Sequence, residues 1–452
     1  MRLPIQLALL VPLLLSAQGM TEVWVDGPDR GAQSAVILVV EGIGANSVYP
    51  EYRAEVPEDS SLNQVNQARL FNLTGRGARI LDLKVPVPRS DLSQSVLFTG
   101  CSWADPSLLS VPGSNLFDAA RAEGFLCAAI IEGEGTIPLI LEQDAVLFFE
   151  DGPVIGAKES APPDLILALQ KWRDLWPKVA LNVPERYWVE SFWTLDATAD
   201  LVEVLSDSDS NSRSRPFILT IVLDSVGSAG ESLGPDGYIE SIEVLDAPLG
   251  RLVRACEDEG VLLFVTSDRG MAFSSSGLKG DLDSSRSSDI ECLRVPAVFF
   301  GPRVDEIVVA GSWSQVDLAP TLWDLLGLEV ADTEGAVIPI SDRYDLKIEG
   351  AKPSKTVVVG RGNKTVAKAS GDSSYRFRGL KRGVYSVESG YQVRSICLNG
   401  DGSLDLGQEI LLPKISWPKV PHVQSRTLAG AFLIAVINLV GSIAIIRIAR
   451  AR

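Results

Sequence analysis

Apolar residues fall along this chain in two alternating spacings. Ser34–Val40, Phe125–Ile131, Phe217–Leu223, Val261–Thr266 and Val295–Phe300 are apolar, largely β-branched runs of the buried parallel-strand type. Arg79–Val85 and Val146–Phe149 add shorter strands. Between them, helical spacing predicts helices over Ser114–Glu123, Pro163–Trp176, Thr194–Leu205, Ile239–Glu259 and Gln315–Leu326. Pro248 should kink the fourth of these without ending it. Strands and helices that alternate in this way predict an α/β fold, a mostly parallel sheet with helices on both faces. Its centre is Phe217–Phe273, which reads as strand, acidic turn, Gly-rich loop, long helix, strand and second acidic turn. Asp224 and Asp268 stand at the carboxyl ends of its two strands, the edge where open α/β sheets bind ligands.

From about Ser341 the texture changes. Asp345–Ile348, Lys355–Val359, Lys364–Ala369, Tyr375–Arg378 and Tyr385–Glu388 are short alternating runs split by Gly, Ser, Asn and Lys. They predict a small β-sandwich over residues 341–410, separate from an α/β domain over 32–335. Pro413, Pro418 and Pro421 make residues 411–426 a stiff stalk. Thr427–Ile446 is free of charge and long enough to span a bilayer, with Arg447, Arg450 and Arg452 in the tail 447–452. At the other end, residues 1–19 carry Arg2, an apolar core Leu7–Leu15 and a small-residue site Ala17-Gln18-Gly19, the shape of a signal peptide. Together these predict a single-pass protein of the cell membrane, its N-terminal ectodomain outside and its C-terminus cytoplasmic.

A net charge of −17 over 452 residues speaks against nucleic-acid partners. Five widely spaced cysteines, without a CxxC pair, do not make a disulfide scaffold and leave at least one thiol over. Asn72 and Asn363 head glycosylation sequons. The chain has one histidine, His422, beside the C-terminal apolar segment.

Six ordered segments resemble the alkaline phosphatase superfamily of phosphatases, nucleotide pyrophosphatases, sulfatases and cofactor-independent phosphoglycerate mutases. They are Ala35–Gly44 (AVILVVEGIG), Ser90–Gly100, Leu223–Pro235 (LDSVGSAGESLGP), Thr266–Met271 (TSDRGM), Val295–Val304 and Gln315–Leu328. The terminal sandwich more weakly resembles PEGA or carboxypeptidase-regulatory modules. The resemblance implies two metal ions, usually zinc, that activate a Ser or Thr nucleophile and are held by carboxylates and imidazoles. Carried over by position, Glu41 stands where the first Asp belongs, and Ser90 takes the nucleophile slot with Ser93 as the less well aligned alternative. Asp224 and Asp268 match the family aspartates. Ser228, Arg269 and Lys279 stand where the three histidines belong. The sulfatase C-x-P-S-R signature is absent.

One histidine cannot supply three imidazoles, so the two-zinc mechanism is not expected. The first reading is a membrane-anchored pseudoenzyme that acts as a scaffold, or as an anion- or glycan-binding protein of the cell envelope. In it no cofactor is needed, and Arg269 and Lys279 either replace the metals beside Glu41, Asp224 and Asp268 or contact an anion. The partner is then an envelope glycan or protein. The alternative is a phosphoester or sulfate-ester hydrolase, in which those carboxylates hold one Mg2+, Ca2+ or Mn2+ ion and Ser90 attacks. Trp172, Trp176, Trp188 and Trp193 either line a sugar groove or, as is commoner, pack a core. Ser206–Ser214 reads as a solvated loop.

Overall fold

The structure is a computed structural model. It describes residues 21–24, 33–52, 55–56, 60–61, 65, 76–133, 137–149, 152–180, 186–207, 215–273, 280–281, 289–328, 333–341, 343–362, 364–398 and 402–407. The expected leader, stalk, membrane span and basic tail lie outside these residues, as do Asn72, Lys279 and Asn363. Among the described residues no helix is long and apolar enough to cross a membrane. The chain divides into two compact units, Met1–Leu404 and Asp405–Arg452, and nearly all described residues belong to the first.

A nine-stranded mixed sheet forms the body of that unit. Its strands in chain order are β1 (Ala35–Val40), β2 (Ala78–Lys84), β3 (Leu126–Ile131), β4 (Ala145–Phe149), β5 (Pro153–Ala157), β6 (Phe217–Leu223), β7 (Leu262–Thr266), β8 (Arg294–Phe300) and β9 (Ile307–Ser314). Across the sheet they run β9-β2-β8-β7-β1-β6-β3-β4-β5. β7, β1, β6, β3 and β4 are mutually parallel, and β8 and β5 run against their neighbours. The central strands are buried on both faces because every position is apolar or small. Val36, Leu38 and Val40 enter one core and Ala35, Ile37 and Val39 the other. Helices Arg186–Ser206 and Ser225–Asp258 cover the first core, while Ser90–Thr99 and Leu318–Leu326 cover the second.

Several elements differ from expectation, among them β5, for which no strand is expected. The Gly-rich segment after Asp224 is helical from Ser225, and the chain leaves helical geometry at Gly234 (φ 75°), just before Pro235, with no such break at Pro248. The glycines serve close packing. A Cβ on Gly42 would stand 2.8 Å from Gly227 Cα, and one on Gly230 would strike the Met271 side chain. β9, for which no strand is expected, is a half-exposed edge whose register breaks near Gly311 (φ 95°).

Downstream lie two four-stranded sheets. One orders Lys364–Ala369, Val357–Arg361, Gly383–Ser389 and Gln392–Leu398. The other orders Thr21–Trp24, Tyr375–Lys381, Arg343–Glu349 and Gly402–Asp405. Alternate residues are buried, among them Leu346, Ile348, Tyr375 and Phe377 in one and Val357, Val359, Tyr385 and Val387 in the other. The strands expected over Tyr375–Arg378 and Tyr385–Glu388 extend toward each other until only Arg382 separates them. The N-terminal strand in this far sheet was not foreseen.

Candidate functional site

The parallel register brings the acidic turns together. Val40 pairs with Leu223, Val39 with Thr266 and Ile131 with Val222, so Glu41, Asp224, Asp268 and Glu132 all follow the strand ends at one edge. Helix Ser90–Thr99 starts at the same edge with Ser90 as its first residue.

The Ser90 hydroxyl lies 3.0 Å from Glu41 Oε2 and also contacts Asp268 Oδ2. A hydroxyl carries one hydrogen, so it can donate to only one of two carboxylates. Burial pushes the Glu41 carboxyl well above the usual carboxylate range, and the charges of Asp268 and Asp224 push it further, against the pull of Arg269 and Ser90. Burial raises Asp268 as well, opposed by Arg269 and the Ser90 hydroxyl. The Arg269 guanidinium lies 3.7 Å from Glu41 Oε2, and both side chains are only about an eighth exposed. It thus sits among the carboxylates rather than in solvent. Gln94, one turn along the helix from Ser90, donates to Glu41 Oε1 at 3.3 Å.

Asp224 lies a step aside. Its Oδ2 accepts from Ser228 Oγ at 2.6 Å, so the serine at an expected histidine position serves as a local hydrogen-bond donor. Ser93 turns away from the cluster: its hydroxyl donates to the Asp268 carbonyl or to Gln315 Oε1 at 2.9 Å, which makes it a helix-to-loop tie. Tyr238 fixes the Glu41 turn from below, accepting from Gly44 N–H and donating to Gly42 O, each at 3.1 Å.

Glu132 is the member that sequence reasoning missed. It is 1 % exposed, and its Oε2 accepts from Ser191 Oγ at 3.0 Å and from the Asp224 N–H at 3.3 Å. Burial pushes its carboxyl up to about 8. A signal was available: Ile130-Ile131-Glu132-Gly133 repeats the Val39-Val40-Glu41-Gly42 pattern, and both glycines have positive φ (69° and 86°). Trp193 belongs to the core, and Trp172 and Trp176 pack against it. Trp193 is 3 % exposed and meets Phe149, Trp172 and Trp176 edge to face, while the Trp188 side chain lies outside the described residues.

The donor set does not fit a zinc pair. The described edge offers carboxylates, hydroxyls and an amide but no imidazole, and a guanidinium stands beside Glu41. Among the described residues no group of three or more His, Cys, Asp or Glu side chains is arranged to hold a metal ion. Cys127, Cys256 and Cys292 are buried, Cys101 is half-buried and Cys397 is exposed.

Comparison with known proteins bears on the same region. The profile of the family "Type I phosphodiesterase / nucleotide pyrophosphatase" matches residues 145–284, which include Asp224, Asp268 and Arg269. The resemblance to the alkaline phosphatase superfamily holds. A 2,3-bisphosphoglycerate-independent phosphoglycerate mutase from Halobacterium salinarum is 36% identical over 107 residues, 24% of this chain and 20% of the mutase. The corresponding mutase from Vibrio vulnificus is 35% identical over 101 residues, 22% of this chain and 19% of the mutase. The chain thus spans about a fifth of the length of the curated relatives it matches. A solved alkaline phosphatase superfamily protein from Vibrio parahaemolyticus is 15% identical, with a TM-score of 0.47 over 80% of this chain and 79% of the other. The lipoteichoic acid synthase LtaP from Listeria monocytogenes is 12% identical, with a TM-score of 0.45 over 78% of this chain and 86% of the other.

Proposed function

We propose that this chain is a membrane-anchored extracellular protein of the alkaline phosphatase superfamily that has given up two-metal hydrolysis and serves as a scaffold or binding protein of the cell envelope. The observation that carries the reading is the contact of Ser90 Oγ with both Glu41 and Asp268, beside the Arg269 guanidinium. One guanidinium then offsets part of the charge that cations balance in the superfamily mechanism. Ser90 is held by hydrogen bonds rather than freed for attack. Anchoring through Thr427–Ile446 and export through residues 1–19 rest on their apolar length and flanking charges. An envelope glycan or protein is the partner this placement favours.

The test pairs elemental analysis of the purified ectodomain with a phosphoester and sulfate-ester assay in added Mg2+, Ca2+ or Mn2+. The expected result is no stoichiometric divalent ion and no turnover above that of Ser90→Ala. One bound ion per chain, with turnover that Ser90→Ala abolishes, would overturn the reading and establish the oxygen-ligated hydrolase. For the topology, protease added to intact cells should remove the ectodomain and leave the 447–452 tail inside. Protection of the ectodomain would refute the proposed orientation.

A further inference from the structure

Residues 343–407 carry 12 Lys and Arg against 6 Asp and Glu, in a chain whose net charge is −17. They hold every strand of the two small sheets but Thr21–Trp24, so a basic module stands on an acidic body. Strand Arg343–Glu349 sets the ends of that module. Its first residues lie by the body, where Ser341 bridges Val304 and Arg382 meets Asp305 at 3.4 Å. Beyond its last residue the chain turns through Lys352 and Lys355 into Val357–Arg361, whose Val357 pairs with Ser389. Ser389 pairs in turn with Gln392 across the two-residue turn Gly390-Tyr391. The Lys355 stem runs along that turn, since a Cβ on Gly390 would meet it at 3.5 Å, and the Lys355 N–H bonds the Lys352 carbonyl at 2.8 Å. Lys352, Lys355 and Tyr391 thus share the tip away from the body, and all three are exposed, Tyr391 fully. The next row across the sheet is Lys368, Val358, Glu388 and Val393, with Lys368, Glu388 and Val393 exposed.

Among the described residues none of these three lysines pairs with a carboxylate. The acids nearby are Glu388 in that row and Asp372, which accepts from the Thr21 hydroxyl at 2.8 Å. A two-residue hairpin turn is built best from Gly, Asn or Asp, so the backbone does not call for Tyr391. A tyrosine in water beside unneutralised lysines suits a membrane–water interface, its ring among the headgroups and the ammoniums at the phosphates. We infer that this tip docks on a membrane surface rich in anionic lipid. Charge decides the occupant, because such a surface attracts the module and repels the acidic body at its other end. Thr427–Ile446 begins 20 residues past Gly407, a length of chain that reaches at most about 70 Å. The inference rests on the membrane anchor proposed above for its proximity, and it uses no residue of the carboxylate cluster.

The test reconstitutes the full chain in vesicles of phosphatidylcholine, alone or with about a third phosphatidylglycerol. Lysines are acylated with a membrane-impermeant reagent and read by mass spectrometry. The anionic vesicles should slow labelling of Lys352, Lys355 and Lys368 about fivefold, and about 0.5 M salt should restore it. Lys158, exposed on the body, should label alike in both vesicles. Equal labelling of the tip lysines in the two vesicles would overturn the docking face. So would protection by dextran sulfate in neutral vesicles without protection by anionic ones, which assigns the tip to a soluble polyanion. Flotation with the phosphatidylcholine vesicles reads the anchor separately. A chain that does not float refutes the anchor, and the same labelling with anionic vesicles added still decides the tip.

Discussion

Glu132→Gln replaces a buried acid by a neutral side chain of the same shape, and its effect on stability should depend on pH. Oε2 already accepts two hydrogen bonds, whereas Oε1 has no hydrogen-bond partner among the described residues. The carboxyl proton therefore belongs on Oε1, and the Gln amide nitrogen can take that place. Burial holds Glu132 at about 8 against an ordinary value of 4.5. Between those values the folded protein keeps a proton that the unfolded chain has lost, so stability falls as pH rises. The loss is absent below the unfolded value and complete above the folded one. Each pH unit in the window costs about 1.4 kcal/mol, so from pH 5 to pH 8 the natural chain loses about 4 kcal/mol that the Gln variant keeps. With an unfolding entropy of about 2.1 cal/mol/K per residue, that is a Tm gap widening by about 5 °C over the Met1–Leu404 unit. Calorimetric scans of both proteins from pH 5 to pH 8 measure it. A gap that stays constant, or closes as pH rises, would refute the assignment of a neutral Glu132.

Other substitutions probe the neighbours. Arg269→Met removes the cation that pulls Glu41 and Asp268 down, so their folded-state proton affinity rises further and stability falls more steeply above pH 5. Denaturant titration should show a cost of about 3 kcal/mol at pH 8 that shrinks below pH 5, and a cost independent of pH would contradict the pairing. Gly42→Ala places a Cβ at φ 86° and 2.8 Å from Gly227 Cα, for an expected loss of about 3 kcal/mol in urea unfolding. Full stability in that variant would show that the Glu41 turn and the helix start are not closely packed. Trp193→Ala should cost about 4 kcal/mol by the same measurement, as loss of a core side chain does, and less than about 1 kcal/mol would return the tryptophans to the surface.

Much of the fold was readable from local signals. β1 and β3 are apolar at every position and β6, β7 and β8 at all but Thr220, Thr266 and Arg294, and a run of that kind has few alternatives to a buried strand. The Ser90–Thr99 helix and the Asp224 and Asp268 turns were placed by motif order, and the structure sets them at one edge. The failures have physical causes. Gly227 and Gly230 read as a loop because glycine disfavours helices in isolation, yet the helix needs them to approach Gly42 and Met271. β9 alternates weakly, since an edge strand is only half buried. Glu132 was passed over because a single acid after a strand looks like any other turn residue. Its proton affinity arises only when helix Arg186–Ser206 closes over it and removes water.

The sequence by itself determined the central strands and most of the longer helices of the α/β body, the carboxyl-edge position of Glu41, Asp224 and Asp268, and the want of imidazoles for a zinc pair. These depend on residue type and spacing within short stretches. The tertiary structure decided that Ser90 lies between Glu41 and Asp268, that Arg269 faces inward to Glu41, and that Thr21–Trp24 completes a sheet about 350 residues away. Hydrogen-bond partners, desolvation and strand edges are set by groups distant in the chain. Their energies depend on which groups exclude water from one another, and local pattern carries no record of that.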